Sequence, residues 1–191
     1  MVVRKDFRRN IPKNKVSLFS YWSVTSLLIF INVVLFFLFL ILIKFNPSFF
    51  EFIAVKPSNV LSLNYIWTVI TSMFMHGGFF HLFVNMLSLF FLGSLTERII
   101  GRRRFFWFYL VAGIVGSLFF VFLAFAGSYF PRGDFLFGGL DDSAVGASGA
   151  IFGLLGLLAV LLPKKEIYLI VGPLIVLVVQ LILNNVFPAA S

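Results

Sequence analysis

Apolar runs long enough to cross a bilayer dominate the chain, and polar residues gather in the breaks between them. A hydrocarbon core about 30 Å thick needs about 20 helical residues. On that measure the pattern predicts helices over 24–43, 79–96, 105–127, 146–162 and 167–183. The first run follows a basic stretch but continues without a small-residue cleavage site, so it reads as a retained helix and not a signal peptide. No internal repeat or low-complexity tract interrupts the series. The fold class is therefore an all-α, polytopic membrane bundle. Its expected division is a basic N-terminal segment, 1–23, followed by one transmembrane domain over 24–191.

The connections differ in kind. Residues 45–78 form a long link carrying Phe49, Phe50, Phe52, Tyr65 and Trp67, with Pro47 and Pro57 as helix breakers. So many aromatic side chains fit the membrane interface better than open water. The link over 128–144, SYFPRGDFLFGGLDDSA, is polar and Gly-rich and reads as a mobile loop.

Composition sharpens the class. Of 191 residues, 61% are hydrophobic and 12% charged, with 28 Phe; a soluble domain carries about a quarter charged residues. Mean hydropathy is +1.07. Cysteine is absent, which excludes disulfides, thiolate catalysis and cysteine-based metal sites. The net charge of +8 is distributed by side of the membrane. Arg4, Lys5, Arg8, Arg9, Lys13, Lys15, Arg98, Arg102, Arg103, Arg104, Lys164 and Lys165 fall on one side of the predicted spans; Lys44, Lys56 and Arg132 fall on the other. The positive-inside rule then places the N-terminus in the cytoplasm. No basic stretch is interleaved with stacking aromatics on a soluble surface, so a nucleic-acid partner is not expected. The bilayer is.

Polar residues inside the spans are few, and each is informative. His81 and Asn85 lie four apart on one helical face, and Gly93, Glu97 and Gly101 extend the same row. Such residues either serve a site or hydrogen-bond a neighbouring helix as polar glue. His76, beside Gly77 and Gly78, reads as a loop-bracing residue, and Glu97, among arginines, as a solvated or loop-bracing ion pair. With the topology above, His81, Asn85 and Ser148 fall at similar depth in the outer half of the bilayer. A site requires that convergence; random glue does not. Ser148 sits in VGASGAIFGLLG, where Gly146, Gly149, Gly153 and Gly156 make a small-residue face. Gly153 and Gly156 read as helix packing, whereas Gly146 and Gly149 flank the hydroxyl and leave room for a substrate backbone. Ala150 occupies the last glycine position of G-x-S-x-G, and no strand precedes it, so this is not the nucleophile elbow of α/β-hydrolases.

Taken in order, His76-x4-His81-x3-Asn85, Gly93-x3-Glu97-x3-Gly101-x-Arg103 and Gly146-Ala147-Ser148-Gly149 resemble the rhomboid family of intramembrane serine proteases over about residues 65–160. The resemblance implies Ser148 as nucleophile, His81 and Asn85 as oxyanion-hole donors, and His76 as a supporting residue. It also implies transmembrane protein substrates, a site opening toward the outer side, and no metal or cofactor. The chain has Trp67-Thr68 where the family often has Trp-Arg. A serine hydroxyl needs a base, which the family carries as a His on a sixth helix. Here the only histidines are His76 and His81, so no general base is found. Three readings follow: an incomplete form of a protease, an inactive relative that binds membrane-protein clients, or an unusual site with His81 as base. A small transporter would show repeats and paired broken helices, which the chain lacks.

Overall fold

The computed structural model of the chain describes residues 22–162. The predicted helix over 167–183 and nearly all of the segment 1–23 lie outside the described residues. Three helices are long and apolar enough to cross a membrane, Val24–Phe45, Phe79–Ile100 and Arg102–Gly127, and the apolar helix Ser148–Leu161 is shorter. Among the described residues there is no strand, only one isolated antiparallel bridge between Val55 and Ala144.

Helix α1 (Val24–Phe45) is apolar on every side, as expected where lipid surrounds it. Its protein-facing stripe is Thr25, Leu28, Asn32 and Phe36, spaced by three or four residues, while Phe30, Val34, Phe37 and Ile41 stay exposed. Asn46 ends the helix, and its side chain accepts from the Ser48 amide to begin the turn that Pro47 starts. In the connecting segment, short helices α2 (Pro57–Leu61) and α3 (Thr68–Thr71) lead into a 3-10 turn, Ser72–Phe74.

The second span is not one regular helix. α4 (Phe79–Ser88) widens into a π turn, Leu89–Gly93, and resumes as α5 (Ser94–Ile100). The wide turn interrupts the four-residue row that the sequence draws from His81 to Gly101, so its two halves serve different neighbours. Gly93 sits at the crossing with α1, where an added Cβ would come within 3.1 Å of Thr25 and 3.3 Å of Phe105. One turn later Glu97 meets the start of α1. Its carboxylate accepts from the Val24 amide (2.8 Å), the Thr25 amide (2.8 Å) and the Thr25 hydroxyl (2.7 Å). It is buried, and Arg102 lies 3.8 Å away while also bonding the Trp22 carbonyl. Glu97 is therefore no solvated ion pair; it caps α1, because a helix N-terminus leaves amides without intrahelical acceptors and favours negative charge.

Gly101, at φ +85°, turns the chain straight into α6 (Arg102–Gly127), so the three arginines begin a helix and do not form a loop. α6 packs along α8 (Ser148–Leu161) through glycine. An added Cβ at Gly116 would sit 2.8 Å from the Gly149 Cα, and one at Gly153 would strike Ala112 at 2.5 Å. Gly149 and Gly153 of the small-residue face are thus covered by α6. Gly156 meets nothing within 4 Å.

The link over 128–144 is tied down where the sequence suggests mobility. A short helix α7 (Gly133–Phe137) folds onto the end of α6, with Gly133 against the Gly127 backbone. Beyond it, Ser58 donates to the Leu140 carbonyl, Lys56 pairs with Asp141 at 3.0 Å, and Val55 and Ala144 exchange backbone bonds of 3.1 and 2.9 Å. Two long connections fold onto each other and form one cap at the Ser148 end of the bundle. Within it, Trp67 donates to the Phe52 carbonyl and packs beside Tyr65, so part of the aromatic set is used internally.

Candidate active site

Ser148 is the first residue of α8, not the third as the predicted helix over 146–162 implies. That position has a chemical consequence. An N-terminal helical residue keeps its backbone N–H free of intrahelical bonds, so the hydroxyl and a donor amide belong to the same residue. Gly146, just before the helix, adopts φ +121°, a conformation that side-chain-bearing residues rarely reach. Its amide donates to the Ser72 carbonyl at 2.8 Å, fastening the serine segment to the long connection.

His81 stands against this turn. A Cβ added at Gly146 would lie 2.8 Å from His81 Nε2 and 3.9 Å from Asn85 Nδ2. Glycine is required there twice over, by its backbone angle and by the imidazole. The Gly77 N–H donates to His81 Nδ1 at 3.4 Å. A neutral imidazole that accepts at Nδ1 carries its hydrogen on Nε2, the tautomer that this long contact favours. His81 thus presents a donor on the side of Gly146. Asn85, fully buried one turn further along, donates from Nδ2 to the His81 carbonyl at 2.9 Å. This bond orients the amide with its NH₂ toward the helix turn and leaves the second hydrogen of Nδ2 available.

His76 braces the arrangement from behind. It is buried, and its ring meets His81 edge-on with centroids 5.2 Å apart. Burial lowers its pKa to about 3, so it is neutral at pH 7.

These groups open on a cleft of about 650 Å³ lined by Ser148, His81, Gly146, Gly149, Ser72 and Ser117, with Phe119, Phe120, Phe152 and Val55 among its apolar walls. The structure brings together Ser148, His81, Gly146 and Gly149 on that cleft, with Asn85 one turn along α4 from His81 and the His76 ring edge-on to it. Gly149 does less to admit a substrate than its sequence suggests, since the side of it that lacks a Cβ faces Gly116 at 3.3 Å. Sequence reasoning missed Gly113, Gly116 and Ser117 of α6, and Ser72, as parts of the cleft. The run Gly113-Ile114-Val115-Gly116-Ser117 is the signal that was available, a small-residue pair inside a long apolar helix. Among the described residues no cluster of His, Cys, Asp and Glu is suited to a metal ion.

A Rhomboid domain model matches residues 63–190, two-thirds of the chain. The chain is 39% identical to the putative rhomboid protease YdcA of Bacillus subtilis over 90 residues, covering 47% of this chain and 38% of that protein. It is 36% identical to the rhomboid protease GluP of the same organism over 115 residues, 60% of this chain and 20% of that protein. Over 100 residues it is 35% identical to the inactive RHOMBOID-like protein 8 of Arabidopsis thaliana, covering 52% and 24%. The chain therefore spans well under half the length of these curated relatives.

Proposed function

The chain belongs to the rhomboid family, and from that premise we propose that it carries the nucleophile and oxyanion hole of an intramembrane serine endopeptidase acting on transmembrane segments. One observation supports the reading: His81 Nε2 and Asn85 Nδ2 approach the turn at Gly146, two residues before Ser148, and His81, Gly146 and Ser148 line one cleft. Both nitrogens and the Ser148 amide present hydrogens. Such a set suits an oxygen that gains negative charge as a carbonyl is attacked. Ser148 Oγ attacks the scissile carbonyl carbon, its proton passes to a base, and the leaving amine departs with a proton as the acyl-enzyme forms. Water then hydrolyses that ester. His76 positions His81 and does not touch the substrate.

The tautomer of His81 argues against its serving as the base, since a donor at Nε2 cannot also accept the serine proton. His76 is buried and does not line the cleft that holds Ser148. A second reading rests on this same point: a family member that binds membrane segments without cutting them; one matched relative is named as inactive. The twelve-to-three distribution of basic residues supports an N-terminus in the cytoplasm and a cleft opening outward. Cysteine introduced at Ser128 in this cysteine-free chain should be labelled by an impermeant thiol reagent in intact cells; labelling at Ser17→Cys instead overturns the orientation.

The deciding experiment uses a fluorophosphonate probe on residues 1–191 and on the whole reading frame, side by side. Labelling of a longer form alone, lost in Ser148→Ala, supports the protease with its base outside these residues. Labelling of neither supports the binding protein. Labelling of the 191-residue form that depends on Ser148 reverses the assignment of His81.

A further inference from the structure

At the opposite end of α6 from the cleft, a shallow groove of about 580 Å³ is lined by Arg103, Arg104, Trp107, Phe108 and Val111. The residues form two columns of four-residue spacing on one helix face. Arg103, Trp107 and Val111 make the first, and Arg104 and Phe108 the second. Each column starts with a guanidinium and becomes apolar toward the middle of the span. Trp107 is 57% and Val111 55% exposed. Among the described residues, the ion pairs are Lys56 with Asp141 and Arg102 with Glu97; Arg103 and Arg104 enter neither. Among the described residues, the carboxylate at this end is Glu97, and it is spent on capping α1.

We infer that this groove is the seat of one anionic phospholipid. The two arginines hold the phosphate, Trp107 lies at the level of the glycerol backbone, and an acyl chain runs over Phe108 and Val111. Each part has a physical reason. Guanidinium forks match phosphate oxygens in pairs. Tryptophan, with an apolar body and one N–H, prefers the boundary between headgroups and hydrocarbon. A zwitterionic lipid offers the same chain but brings its own cation to two unpaired positive charges, so the preference is for a net negative headgroup. The order of chemistry along the helix, charge then indole then hydrocarbon, is the order met on entering a bilayer. Free phosphate satisfies only the first of these. The inference rests on the charge and shape of α6 and not on the proteolytic reading.

The test uses the 191-residue chain with Trp22→Phe and Trp67→Phe, so that Trp107 is the only indole, in nanodiscs containing brominated phosphatidylglycerol or brominated phosphatidylcholine. Trp107 emission should be quenched more strongly by the anionic lipid at equal mole fraction. The preference should fall by about fivefold for each arginine replaced in R103Q and R104Q, while R132Q, at the other end of α6, keeps it. Unchanged quenching by the brominated phosphatidylcholine checks that each variant is folded and inserted. Millimolar inorganic phosphate should leave the preference intact. Equal quenching by the two lipids, retention of the preference in both arginine variants, or its loss to inorganic phosphate would overturn the assignment.

Discussion

The two ends of the helix bundle are held by opposite means. At the Ser148 end, loops are clipped together by backbone bonds and glycine contacts around an open cleft, with His81 and Asn85 presenting hydrogens that no protein group fully uses. At the Glu97 end, one buried carboxylate satisfies two amides and a hydroxyl of α1, and its own acceptors are used in doing so. Unused hydrogen-bonding capacity is suited to chemistry, and completed capacity to stability. Substitutions at the two ends should therefore separate reaction from folding.

The largest separation is expected at Ser148. In a form that labels with fluorophosphonate, Ser148→Ala should remove labelling and peptide cleavage almost entirely while leaving the unfolding midpoint unchanged. Asn85→Ala should lower kcat by about 10²–10³, the usual cost of one oxyanion donor, measured as single-turnover cleavage of a transmembrane substrate. A loss of folding equal to the loss of activity in Ser148→Ala would erase the contrast.

Glu97→Ala should do the reverse. It strands the Val24 and Thr25 amides and the Thr25 hydroxyl, and bonds to a charged group are worth about 1.5–3 kcal/mol each before compensation. A destabilisation of about 3 kcal/mol is expected in a reversible unfolding titration, with full activity of the fraction that remains folded. Retained stability in Glu97→Ala would show that the cap is replaceable by water.

Between the ends, the α6–α8 contact should respond to single methyl groups. Gly116→Ala places a Cβ 2.8 Å from the Gly149 backbone, and overpacking of that kind costs about 1–3 kcal/mol. Gly156→Ala, in open space on the same helix pair, should be neutral or slightly stabilising, because alanine favours helix over glycine by about 1 kcal/mol. Equal unfolding midpoints for the two variants would dismiss the glycine contact.

The smallest effect belongs to Asp141. The hydrogen bond from Lys56 holds its carboxyl below the usual value of 3.8. A carboxylate whose folded pKa is depressed stabilises the fold above the unfolded pKa and loses that contribution as pH falls through the folded one. Asp141→Asn should therefore differ slightly from the parent at pH 7 and match it in strong acid. The pair is exposed, so the pH 7 difference should be the least of those named here.

Much of the fold is legible without coordinates, because transfer from water to hydrocarbon depends on what a segment contains and not on what it meets. The starts and ends of α1 and α6 fall within three residues of the hydropathy pattern, and Gly101 and Pro47 mark the turns. The site is legible in part. His81, Asn85 and Ser148 stand out because polar groups are scarce in apolar helices. The ion pair of Glu97 with an arginine was legible, but its burial and its cap on α1 were not, because the N-terminus of α1 lies more than seventy residues away. The cap formed by the two connections was also hidden, since backbone bonds such as Val55 to Ala144 leave little trace in residue type.

By itself, then, the sequence determined that the chain lives in a membrane, where its described long helices lie, and which few polar residues interrupt them. Tertiary structure alone decided which faces meet. Helices apolar all round advertise no preferred side, and small residues permit close approach without naming a partner. That is why the glycines of α8 do not name their neighbours in the sequence: Gly149 rests on Gly113 and Gly116, and Gly153 on Ala112. The π turn at Leu89–Gly93 completes the point. It parts the row from His81 to Glu97, so that one half of a single span serves the cleft and the other caps α1.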